Sequence, residues 1–263
     1  MTNTRTSLRR RAATASALAL VLVSAGCSSD DPVVDPQSVA VGAALPADYS
    51  DDGPGSLESA EELLTIDRRV SAISSVAARV VYTSTSGIDG SAQRVSGTIF
   101  APEGAAPEGG WPIIAYGHGT TGVLNDCGPS TDPELLGSSQ IVAALVRSGY
   151  VVAVSDYQGL GLDGTYHPYL DAGTVGNNLI DSVRAARKLV PNTSTRWASF
   201  GGSQGGQAAW AANELAGTYG EGLDMVGSVS LVPAADITGL AAAAADGTLT
   251  DDQKPLLQWV LVG

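Results

Sequence analysis

Five residues carry the most legible chemistry in this chain: Gly201-Gly202-Ser203-Gln204-Gly205. They fit G-x-S-x-G, a sharp strand-to-helix turn that holds a serine hydroxyl out for nucleophilic attack. Gly201 and Gly205 are expected where a side chain would strike the neighbouring strand or helix. A helix starting after Ser203 would also point unpaired N–H groups toward the reaction centre. The pattern alone is weak, because the chain holds 32 glycines, and the plain alternative is a Gly/Ser loop. Context favours the turn: the apolar run Trp197, Ala198, Phe200 precedes it and an alanine-rich, helix-like stretch to Leu215 follows.

A serine hydroxyl is a weak nucleophile and needs a general base, usually a histidine oriented by a carboxylate. The chain has two histidines, His118 and His167, and both precede Ser203. For each, holding a loop by hydrogen bonds is the better expectation than catalysis. Asp156 follows a strand and could line the site, but pairing within its loop is favoured. Asp224, Asp236, Asp246, Asp251 and Asp252 lie downstream, and none follows a readable strand at the right place. Two cysteines, Cys27 and Cys127, make neither a disulfide framework nor a metal-ligand spacing. No metal or cofactor is implied.

The elements that would position these residues alternate. Ala78–Thr83 and Gln93–Phe100 read as a hairpin turned at Ile88-Asp89-Gly90. Trp111–Tyr116 and Tyr150–Val154 are short continuous apolar runs, as in strands buried on both faces. Met225–Val232 is a further strand. Ser138–Arg147 reads as a helix, and so does Thr174–Val190, with Leu179, Val183 and Ala186 in one stripe. The stretch Ser56–Ile73 mixes acidic and apolar residues and is expected to open with a helical turn or two. Such alternation implies an α/β fold, a mostly parallel sheet flanked by helices on both faces. Active sites of such sheets lie at the carboxyl ends of the strands. His118-Gly119-Thr120, Asp156 and Ser203 should therefore share one edge. The tail Asp236–Gly263 is alanine-rich and helix-prone, and closes on the apolar run Leu256–Val262.

The amino terminus reads differently. Arg5, Arg9, Arg10 and Arg11 precede an apolar stretch, Ala12–Val23, too short to span a membrane as a helix. Ser24-Ala25-Gly26-Cys27 resembles a bacterial lipobox, with Ser24 where leucine is usual. Residues 1–26 are thus expected to be a lipoprotein signal peptide, with Cys27 the lipidated residue anchoring the protein at a membrane. An ordinary signal peptide is the alternative. Residues 27–55 are Ser/Asp/Pro/Gly-rich and expected to form a flexible tether. The domain then spans 56–263. Hydrophobic content of 44% against 16% charged residues suits a compact, well-buried domain. Four of the 14 basic residues lie in the leader and none of the 27 acidic ones do, so the remainder is more acidic than the whole chain's −13. That argues against nucleic acid as a partner.

Several motifs occur in one order: Tyr116–Gly122 (YGHGTTG), Cys127–Ser130, Ser155–Gly161 (SDYQGLG), His167–Leu170 (HPYL), Asp181–Arg187 and Gly201–Gly206. Together they resemble the secretory lipase family of α/β-hydrolases, including yeast lipase A-like enzymes and exported actinobacterial proteins. The resemblance runs from about Val80 onward. It implies a carboxylic-ester hydrolase acting on lipid or other acyl esters, with Ser203 as nucleophile. The oxyanion would be held by the backbone N–H of Gln204 and a second N–H from the loop after His118, with Thr120 the chosen donor. It also implies a helical cap, of which 237–263 would be the start. The family order is Ser, then Asp or Glu, then His, and no histidine follows Ser203. The expectation is that this chain lacks a carboxyl-terminal third bearing the Asp and His, along with any partner for Cys127, and turns over esters poorly. A peptidase on the same fold, or an anchored binding protein without catalysis, are the alternatives.

Overall fold

The computed structural model describes residues 39–263. The leader and Cys27 lie outside the described residues. Eight strands form one sheet: β1 (Val41–Ala44), β2 (Leu57–Leu63), β3 (Ser74–Thr85), β4 (Ala92–Pro102), β5 (Trp111–Gly117), β6 (Val151–Ser155), β7 (Thr193–Gly202) and β8 (Asp224–Leu231). Their spatial order is β1-β2-β3-β4-β6-β5-β7-β8. Strands β1 to β4 and the β4–β6 pair are antiparallel. The block β6-β5-β7-β8 is parallel. Every residue of β6 is buried, which is why its sequence is a continuous apolar run. Val151 and Ala153 pack on one face of the sheet and Val152 and Val154 on the other.

Helices α3 (Ala172–Leu189) and α4 (Gln204–Leu215) cover one face of the sheet. Leu179 and Val183 of α3 and Ala208 and Ala212 of α4 join Ile113, Ala115 and Trp197 in one core. Asp171 caps α3, its carboxylate accepting from the Thr174 N–H at 2.8 Å. That satisfies one of the four unpaired donors of the first turn. Helices α1 (Arg68–Ser71) and α2 (Ser139–Arg147) cover the other face, where Val70, Val142 and Val146 meet Phe100, Val152 and Val154. Helices α5 (Thr238–Ala245) and α6 (Gln253–Val262) follow β8. Val226, Val229 and Leu231 of β8 are about half exposed, and Leu261 and Val262 of α6 more so. Among the described residues no helix is long and apolar enough to cross a membrane.

Two expectations are corrected here. The described part of the supposed tether, residues 39–55, is docked on the domain. Val41–Ala44 is a strand paired with β2. The Leu45 N–H donates to the Ala60 carbonyl at 2.8 Å, and the Asp48 N–H to the Lys188 carbonyl at 3.0 Å. Leu45 and Ala47 pack against the core. Their polar neighbours disguise a few well-placed apolar contacts. Likewise Ser56–Ile73 opens as the strand β2, not as a helical turn.

Candidate active site

Parallel β5, β6 and β7 end at Gly117, Ser155 and Gly202. The expected residues therefore do stand along one edge. Gly117 and Gly201 are register partners, and the two glycine positions of the elbow are set by what faces them. A Cβ on Gly201 would lie 2.2 Å from the Gly205 carbonyl oxygen, and one on Gly205 would lie 2.0 Å from that of Gly117. Both distances are far inside van der Waals contact, so strand end and helix start meet backbone to backbone. Gly202 differs: its Cβ would meet nothing nearer than 3.9 Å.

Ser203 sits at φ 56°, ψ −121°, a backbone region that a non-glycine residue enters at a cost of about 1–3 kcal/mol. Three backbone hydrogen bonds hold it there. Its N–H donates to the Leu231 carbonyl at 3.0 Å. Its carbonyl accepts from the N–H groups of Gln207 at 3.0 Å and Ala234 at 3.2 Å. The residue itself is exposed. The next residue, Gln204, begins α4 and is fully buried.

Neither histidine is free to act as a base. The His167 Nδ1 lies 2.9 Å from the Gln158 carbonyl and its Nε2 lies 2.8 Å from Gln204 Nε2. A carbonyl only accepts, so Nδ1 carries the proton and Nε2 accepts from the Gln204 amide. His118 Nδ1 lies 2.7 Å from the Gly119 carbonyl and Nε2 lies 3.3 Å from that of Asp156. The Tyr157 ring stacks on it at 4.4 Å, and the Tyr157 hydroxyl donates to the His118 carbonyl at 3.1 Å. Burial depresses both imidazoles to about 4. Asp156 is spent as well. Its Oδ1 accepts from the Ser130 N–H at 2.8 Å, and its Oδ2 from the hydroxyls of Ser96 at 2.6 Å and Ser130 at 2.5 Å. Burial raises its pKa. It pins the 128–131 loop to β4, as the sequence reading favoured.

These histidines set an acid limit on stability. An unfolded histidine takes up a proton near 6.5, whereas the folded ones resist until about 4. The unfolded state thus binds more protons between those values, and stability falls as pH falls from 6.5 toward 4. Each histidine contributes a slope of about 1.4 kcal/mol per pH unit in that window. Urea unfolding of His167→Gln should show the slope reduced by about that amount relative to wild type. An unchanged slope would mean that His167 titrates normally when folded. Buried Asp156 and Asp181, with raised pKa values, act in the opposite direction. They are common to both proteins and cancel in the comparison.

Thr120 stands in the loop after β5, its Oγ1 hydrogen-bonded to the Tyr169 hydroxyl at 2.8 Å. A Cβ on neighbouring Gly119 would be 3.7 Å from the Gly202 carbonyl, so the loop runs alongside the elbow. A groove of about 280 Å³, lined by Ala172, Gln207, Trp210, Ala211, Glu214 and Ala235, opens one helical turn beyond Ser203. A larger cavity of about 640 Å³ includes Trp111 and Asn192. It lies at the opposite end of the parallel strands and has no part in this site. Cys127 is an unpaired thiol among the described residues. No group of three or more His, Cys, Asp or Glu side chains among those residues is arranged to hold a metal ion.

The sequence reading quoted Tyr157, Tyr169 and the side chain of Gln204 within its motifs and gave them no role. The structure places all three around the elbow. The sequence carried little signal for them: Tyr157 follows Asp156, Tyr169 stands two residues after His167, and Gln204 follows Ser203.

Comparison with known proteins bears on the fold and the family likeness. The model of the family described as "Secretory lipase" matches residues 136–261. A Mycobacterium tuberculosis protein named a "probable inactive lipase" is 28% identical over 228 residues, covering 80% of this chain and 46% of the relative. The rice cell wall degrading esterase LipA of Xanthomonas oryzae superposes with a TM-score of 0.54 at 26% identity, over 66% of this chain and 49% of that one. Candida antarctica lipase A in its closed state shares the fold, with a TM-score of 0.54 at 19% identity, over 70% and 46% of the two chains. The chain spans about half the length of these relatives. Fold and matches agree: the chain has the α/β-hydrolase fold and, over residues 136–261, is similar to the secretory lipases.

Proposed function

We propose that Ser203 is the nucleophile of an exported carboxylic-ester hydrolase whose substrates are lipid or other acyl esters. The observation that carries this is the exposed serine held in a left-handed backbone conformation between two glycines that admit no side chain. In the proposed reaction Ser203 Oγ attacks the ester carbonyl carbon and loses its proton to a base. The carbonyl oxygen becomes an oxyanion, held by the N–H of Gln204 and that of Thr120. Collapse of the tetrahedral intermediate breaks the C–O bond, the departing oxygen takes the proton from the base and leaves as the alcohol, and water then cleaves the acyl-serine to the acid. The chain supplies no free imidazole for the proton transfer, since His118 and His167 are both committed to hydrogen bonds. The proposal extends to residues 1–26 as an export signal and to Cys27 as a lipid-bearing membrane anchor.

Two assays on residues 27–263 test this. With imidazole added as an external base in place of the missing one, a fluorophosphonate should label Ser203, and Ser203→Ala should abolish the label. Turnover of an activated p-nitrophenyl ester should stay near the Ser203→Ala background, because the base is wanting. Label on another residue, or none, overturns the nucleophile. Full-rate turnover that depends on Ser203 overturns the claim about the base. A second reading, an anchored protein that binds acyl ligands without cleaving them, is favoured by the relative named as inactive. Tight binding of a fatty ester with no labelling would select it.

A further inference from the structure

We propose that the segment 167–170 is one brace that fixes both halves of the oxyanion hole relative to each other. The inference rests on the reading of Gln204 and Thr120 as the two oxyanion donors. Those donors belong to different strand ends: Thr120 to the loop after β5, Gln204 to the start of α4. An oxyanion needs both N–H groups about 2.7–3.1 Å away at once. Something must hold the loop and the helix in register.

The segment grips both. His167 Nε2 accepts from the Gln204 side chain at 2.8 Å. The Tyr169 hydroxyl is bonded to Thr120 Oγ1 at 2.8 Å. The Leu170 carbonyl accepts from Gln207 Nε2 at 2.9 Å, one turn further along α4. The brace is itself anchored. His167 Nδ1–H donates to the Gln158 carbonyl at 2.9 Å. Gly159 admits the segment only because it has no side chain; a Cβ there would lie 2.3 Å from the His167 nitrogen. Pro168 fixes φ between the two gripping residues. The Tyr169 N–H donates to the His167 carbonyl at 2.8 Å, and the Asp171 N–H to that of Pro168 at 3.0 Å. His167 and Tyr169 are nearly fully buried, so water does not compete for these bonds.

Three substitutions separate positioning from mere support. His167→Asn keeps a donor toward Gln158 and loses the acceptor for Gln204. His167→Gln keeps the acceptor and loses the bond to Gln158. Tyr169→Phe removes only the hydroxyl bonded to Thr120. Thermal unfolding checks that each variant folds. Two signals are then read: the rate of fluorophosphonate labelling at Ser203 with imidazole added as external base, and the backbone amide NMR peaks of Gln204 and Thr120. Labelling should slow about tenfold in His167→Asn and Tyr169→Phe, less than the about 10²–10³ lost with an oxyanion donor outright, and His167→Gln should restore it to within about twofold. The Gln204 and Thr120 peaks should both move in His167→Asn. The brace is overturned if His167→Asn labels at the wild-type rate, if His167→Gln is as slow as His167→Asn, or if the Thr120 peak stays put. If the wild-type protein takes no label, the nucleophile reading fails instead, and the two amide peaks alone decide the brace.

Discussion

Gly205→Ala is expected to yield little folded protein. The added methyl carbon would stand 2.0 Å from the carbonyl oxygen of Gly117 and 2.7 Å from that of His118. Both are backbone atoms of the strand end and loop that frame the site, and neither can rotate away as a side chain would. Relief requires moving the start of α4 off β5, at the cost of the contacts that bury Ala208 and Ala212. A loss of more than about 4 kcal/mol follows, in the class of overpacked core positions. The control is Gly202→Ala, two residues before Gln204 in the same motif. Its Cβ would meet nothing nearer than 3.9 Å, so its cost should stay below about 1 kcal/mol. Urea unfolding of the two variants side by side gives the answer. Equal losses would mean that the elbow glycines are there for flexibility and not for closeness.

Ser203→Gly should do two things at once: remove all labelling at this position and make the protein more stable. A glycine occupies φ 56°, ψ −121° without the steric cost that a Cβ incurs. Relief of about 1–3 kcal/mol, less about 0.5–1 kcal/mol for the freer unfolded chain, leaves a net gain of about 0–2.5 kcal/mol, centred near 1. The midpoint of thermal unfolding should rise by roughly 2–4 °C per kcal/mol at this size. Ser203→Ala is the matched variant: it loses the hydroxyl equally but keeps the Cβ and the strain. If the glycine variant melts no higher than the alanine variant, the serine is not strained and the left-handed backbone costs nothing.

The parts of the fold that were legible are those where one local rule dominates. Tyr150–Val154 could be read as a doubly buried strand because both of its faces are covered. The elbow could be read because close backbone approach leaves glycine as the only choice at Gly201 and Gly205. Strand β2 shows the limit. Its buried residues are Leu57, Ala60 and Leu63, a spacing of three that imitates a helix. Between Leu57 and Ala60 the cause is a register shift between Leu57 and Ser59 in the pairing with β3; Ala60 and Leu63 are buried on opposite faces of the sheet. The docking of residues 39–55 was hidden for another reason: it depends on partners such as Ala60 and Lys188 that no local pattern reveals. At the site, Ser203 was readable from its flanks. The contacts of Tyr157, Tyr169 and Leu170 were not, because each falls on a residue distant in sequence.

The backbone of Ser203 joins α4 to the end of β8. Its N–H and carbonyl are both engaged with residues 231 and 234, so the hydroxyl is the one polar group the residue has left to offer. A displacement of the chain just past β8 therefore reaches the Ser203 backbone through main-chain hydrogen bonds. The turn after β8 is thus a second support for the Ser203 backbone, besides the start of α4.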